Sequence, residues 1–175
     1  MNLVLIKPLI FIGLLFVAHF SSAQDIAKSQ KGSTTQFINK TEVTIKYSRP
    51  VARGIELYGS IVSWGKIWCP GADSATTMSV STNVTINGKE LKAGTYSLWA
   101  EPNPKEWIFI FSTVHPIFHT RYPGSSKDAL RLKITPREGE HMETMNYYFP
   151  VVEGKKAEMV LHWGKVVVPF DIEAP

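Results

Sequence analysis

The chain has 175 residues, with 19 Lys/Arg against 15 Asp/Glu and a formal net charge of +4. That excess is too small and too dispersed to argue for a nucleic-acid surface, and no Lys/Arg-rich run marks one. A single cysteine, Cys69, excludes an intramolecular disulfide, so the fold must hold by packing alone.

The chain opens on "MNLVLIKPLIFIGLLFVAHFSSAQ", with one cation, Lys7, ahead of an apolar run from Leu9 to Phe20. Ser21 and Ala23 occupy the small-residue positions of a cleavage site, so residues 1–23 are predicted to be a signal peptide cut before Gln24. About a dozen apolar residues fall short of the roughly 20 that a membrane span needs. The expected product is exported, periplasmic or secreted, and keeps no membrane span after cleavage. Loss of Lys7 takes its charge from +4 to +3. About 150 residues then remain, the size of one ordinary domain. Residues 24–36, polar and glycine-containing, read as a flexible lead-in to a domain over 37–175.

From there the apolar pattern has period 2. "TEVTIKYS" sets Val43, Ile45 and Tyr47 against Thr44, Lys46 and Ser48, as a half-buried strand requires. "ATTMSVS" alternates likewise. "VTINGKEL" carries Asn87-Gly88, a strong hairpin signal because both residues tolerate positive φ. "GTYSLWA" places Trp99 on the face opposite Tyr96 and Leu98, the wetter side. "EWIFIFS" is apolar on both faces and predicts a doubly covered strand. "ALRLKIT" and "METMNYYFPV" follow, the latter grouping Met145, Tyr147 and Phe149. Then come "AEMVLHW" and "KVVVPFDI", the last assigned to a sheet edge by Pro169. Eight or nine short strands without a capped amphipathic helix predict an all-β fold, one antiparallel β-sandwich of jelly-roll or Ig-like type.

Two stretches break the rhythm, 49–74 and 113–127. Long irregular connections are where binding groups concentrate. These two hold the candidate binding residues Arg49, Arg53, Trp64, Trp68, Asp73, His119, Arg121 and Tyr122, with Thr76 at the first strand position beyond.

The stretches "YSRP", "GSIVSWGKIWCPGADSATT", "INGKELKAGTYSLWAEP", "EWIFIF" and "LHWGKVVVPFDI" together resemble the bacterial family catalogued as domain of unknown function 2911. The resemblance runs from about Phe37 to Ile172. It implies an exported all-β domain and carries over no catalytic residues. Relatives with Arg in place of Cys69 and Glu in place of Ser74 imply that neither is an obligatory catalytic group.

No side-chain constellation compels a reaction. Ser63 and Lys66 have Ser-x-x-Lys spacing, but that pairing needs a helix and Gly65 sits between them. His115 and His119 are four apart without a carboxylate in their stretch, so no metal and no cofactor is expected. Asp73 is expected to form an Asx-turn ahead of the strand at Thr76, and Cys69 to be buried. His162 and Glu158 share a strand face and read as a solvated pair. The leading expectation is a non-catalytic binding module for a small molecule, glycan or peptide, built where the two irregular stretches meet. The alternatives are an envelope hydrolase using Asp73 with His115 or His119, and an assembly protein pairing through a strand edge.

Overall fold

A computed structural model describes residues 28–175. The leader assigned to 1–23 lies outside the described residues. Ten strands are present among those described: β1 (Gln30–Ile38), β2 (Thr41–Arg49), β3 (Thr77–Val80), β4 (Val84–Ile86), β5 (Lys89–Leu91), β6 (Gly94–Glu101), β7 (Trp107–Ser112), β8 (Asp128–Ile134), β9 (Arg137–Glu153) and β10 (Lys156–Glu173). They form two antiparallel sheets, β1-β2-β3-β6-β7-β8 and β5-β4-β10-β9, a sandwich that does not close into a barrel.

The strands form where side chains alternate. In β2, Val43, Ile45 and Tyr47 are buried while Glu42 and Lys46 face out. Asn87 (φ 48°) and Gly88 (φ 75°) make the two-residue turn between β4 and β5. Between the sheets, Phe109 packs edge-on against Phe170 at 4.6 Å, and Tyr47 against Tyr147 at 4.8 Å. Trp107 and Trp163 are buried in this core, as are Met145 and Tyr147, with Phe149 packed against it.

Four expectations need correction. The polar stretch read as a lead-in is β1 from Gln30 onward, so the fold begins before residue 37. All nine of its residues pair with β2, and Thr34 Oγ1 donates to the Tyr147 carbonyl at 2.7 Å. An outer strand can be held by its ladder with few apolar side chains, which hides it from a hydropathy pattern. The strand count therefore rises to ten. Pro169 does not mark a sheet edge: β10 lies between β4 and β9. Pro169 falls between Val167, the last residue paired with β9, and Ile172, which pairs with β4, where no ladder bond is required of it. His162 is not a solvated partner of Glu158. It is buried, with Nδ1 3.2 Å from the Tyr148 hydroxyl and Nε2 2.9 Å from the Glu140 carbonyl, while Glu158 pairs with Arg137. Leu161 and Trp163 on either side of His162 belong to the inter-sheet core, so this ring points away from that core and is buried instead against Gly139 and Glu140 of β9.

Candidate functional site

The two irregular stretches meet. Ala75 N–H donates to the Ile117 carbonyl at 2.8 Å and His119 N–H to the Asp73 carbonyl at 3.0 Å, around a bridge between Ser74 and Phe118. Together they cover part of the outer face of the six-stranded sheet. On β6 and β7, Leu98, Phe109 and Phe111 point between the sheets, so Trp99 and Ile110 point out beneath this cover. With Cys69, Ala75, Ile117 and Tyr122 they form a second, smaller core. Trp99 is therefore not on the wet face but 1% exposed, its indole N–H donating to Ser97 Oγ at 2.9 Å. This outside core is also why β7 is apolar on both faces.

Cys69 is buried in that core, and burial pushes its thiol up to about 12. Thr76 is fully buried and its hydroxyl donates to the Pro70 carbonyl at 2.7 Å, closing the Pro70-Gly71 bend. Tyr122 stacks edge-on over Trp99 at 5.5 Å and donates to the Asp128 carboxylate at 2.7 Å, which Arg131 also meets at 2.7 Å. Burial and then that carboxylate push Tyr122 up to about 12. These groups hold one another and hold the cover down.

Beside the cover opens a cleft of about 510 Å³, within the range of small-ligand sites. Its floor is the polar face of β1 and β2, with Lys31 opposite Ser48 and Ser33 opposite Lys46. Lys46 in turn faces Thr77 of β3. Its wall is Asp73, Ser74 and Ala75, with Pro116 from the second stretch. Among the described residues, the side chains of Lys31, Ser33, Lys46, Asp73 and Ser74 make no hydrogen bond or ion pair. Two ammonium groups, one carboxylate and several hydroxyls thus converge unpartnered. Asp73 takes a left-handed conformation (φ 58°), and its carboxylate does not cap the turn as expected; the turn is fixed through its carbonyl instead. Asp73 meets His119 through backbone only: neither His119 nor His115 bonds its carboxylate.

The candidate residues separate into several places. Asp73 lies in the cleft, with His119 joined to it by backbone and Arg121 exposed just beyond. Thr76 and Tyr122 belong to the covered core region. Arg49 turns to the inner face, its Nε 3.4 Å from the Met145 carbonyl. Arg53 and Trp64 lie on the excursion beyond β2, and Trp68 stacks with Trp163 at 6.2 Å against the main core. The cleft residues Lys31, Ser33, Lys46, Ser48 and Thr77 were missed. The polar face of β2 was visible in the alternation, but its partner β1 was not. A second hollow of about 410 Å³ lies on the outer face of the four-stranded sheet. There Glu173 and Glu158 are already paired, with Lys156 at 3.8 Å and Arg137 at 2.7 Å.

The chain belongs to the family described as "Protein of unknown function (DUF2911)", whose model matches residues 29–172. No curated protein and no solved structure matches it.

Proposed function

We propose that this DUF2911 domain is an exported, non-catalytic binding module. Its ligand is small and hydroxyl-rich with an anionic group, as in an acidic glycan fragment, and lies in the cleft between the β1–β2 hairpin and Asp73–Ala75. The observation that carries the reading is the set of unpartnered polar side chains facing that cleft. Unsatisfied lysine and hydroxyl donors at the mouth of a preformed hollow suit oxygen-rich ligands. With Lys31 and Lys46 against Asp73, the cleft has one positive charge in excess. Binding is favoured over hydrolysis because no base is hydrogen-bonded to Asp73 or Ser74, which acid–base or nucleophilic catalysis would use. Export rests on the sequence of residues 1–23.

Calorimetric titration with neutral and acidic oligosaccharides and short acidic peptides tests this. An acidic ligand is expected to bind, more weakly as salt rises. Lys46→Glu should lower its affinity about tenfold or more by reversing a cleft charge. If no such ligand binds, or if Lys46→Glu binds it as well as the parent protein, the reading fails.

A further inference from the structure

We infer that the excursion spanning residues 53–67 docks on the surface of a phospholipid membrane. Of the eight large apolar side chains left exposed among the described residues, four lie on it: Ile55, Ile61, Trp64 and Ile67. Ile61 is 56% exposed and Trp64 39%. Concentrated exposed apolar groups mark an interaction surface.

The excursion is built to present them. Leu57 and Val62 are buried as anchors, the Val62 N–H bonds the Leu57 carbonyl at 2.8 Å, and the Gly59 N–H bonds the Val62 carbonyl at 2.8 Å. Gly65 N–H fastens the far end to the Pro102 carbonyl at 2.8 Å. Trp64 lies on Tyr58, centroids 6.0 Å apart, and against Gly59, where any Cβ would come 2.7 Å from the indole nitrogen. The ring is thus held in place while its other side faces solvent. A half-exposed indole amid isoleucines is the chemistry of the membrane–water interface.

The chain's own geometry says which surface this end faces. Arg53 Nη2 donates to the Lys28 carbonyl at 3.2 Å, so the described chain begins beside the excursion. The apolar run ending at Phe20 lies eight residues earlier (28 − 20). Eight residues reach at most about 28 Å, so until the predicted cut before Gln24 a leader engaged with the export membrane would keep this end within reach of lipid. Lys28, Arg53 and Lys66 stand against Glu56 and Glu143, whose carboxylate accepts from the Arg53 N–H, and the one positive charge in excess favours anionic headgroups.

The test uses protein purified from cells expressing the whole gene, so that parent and variants share one N-terminus. Vesicles of phosphatidylcholine and phosphatidylglycerol carry brominated acyl chains. The parent protein should co-sediment, with part of its Trp emission quenched by bromine. Trp64→Phe should still sediment but lose most of that quenching, since the other tryptophans are more buried. Ile61→Asp with Ile67→Asp should lower partitioning about tenfold or more, with circular dichroism unchanged. Failure to sediment, or quenching that persists in Trp64→Phe, overturns the inference. So does a dimer that dissociates on Ile61→Asp, which would assign the patch to a second copy of the chain. None of these readouts depends on the cleft ligand.

Discussion

Replacing Trp99 by Ala asks whether the outer face of the six-stranded sheet carries a real core. A buried Trp removes about 200 Å² from water, and at about 25 cal/mol per Å² that is about 5 kcal/mol. A compact unfolded chain trims the figure to about 3–4.5 kcal/mol, in line with the about 3–5 kcal/mol typical of Trp→Ala at buried sites. An exposed Trp on a wet sheet face would cost only about 0.5 kcal/mol or less. The two alternatives therefore differ several-fold. Urea unfolding followed by far-UV circular dichroism, which does not depend on the deleted fluorophore, measures the difference. With a slope of about 2 kcal/mol per M for a domain this size, the midpoint should fall by about 1.5–2.3 M. Trp99→Phe keeps much of the packing but leaves the buried Ser97 hydroxyl without its indole donor, and should cost about 1–2 kcal/mol. A midpoint for Trp99→Ala within about 0.3 M of the parent would refute the covered core.

Cys69, 2% exposed with its thiol pushed up from 9.0 to about 12 by burial, should hold about a thousandfold less thiolate at pH 8 than an unfolded cysteine. Ellman's reagent should therefore label it slowly in the native protein and quickly in guanidinium; native labelling within tenfold of the unfolded rate would contradict the burial. Because the folded values of Cys69 and Tyr122 are both raised, their stabilisation is complete below their unfolded values. It is lost as pH climbs toward about 12, so the melting temperature should fall progressively above about pH 9. Gly71→Ala would place a Cβ 2.4 Å from Thr76 Oγ1 and should cost about 1–3 kcal/mol by overpacking. Adding Thr76→Ala should recover part of that cost, and strict additivity of the two in thermal melts would count against the clash.

Much of the sandwich could be read from alternation, because a strand with one face on a core writes its burial into every second residue. β2, the Asn87-Gly88 hairpin and β7 were legible for that reason. β1 was not: "KGSTTQFI" is held by its ladder with β2 more than by apolar contact, and ladders leave no mark on composition. Trp99 was misplaced by a related ambiguity. Alternation tells that two faces differ, but not that a loop elsewhere in the chain lies over one of them. The cleft was half legible. Asp73 stood in a stretch that looked site-like, yet Lys31, Ser33 and Lys46 join it only through strand pairing, and no local pattern reports which strands become neighbours.

In the proposed reading, the cover ties stability to ligand binding. Its two stretches are joined to each other by the Ala75 and His119 backbone bonds and by packing over Trp99 and Tyr122. The strands below are bonded along their full ladders. The cover is accordingly the unit expected to open at the least free energy, since local opening follows the density of buried contacts and protected backbone bonds. A ligand bridging Lys46 on the sheet to Asp73 on the cover would bind the closed form alone and stabilise it by mass action. The same closure buries the chain's single thiol, so the irregular segment that walls the cleft also keeps Cys69 from solvent and oxidants.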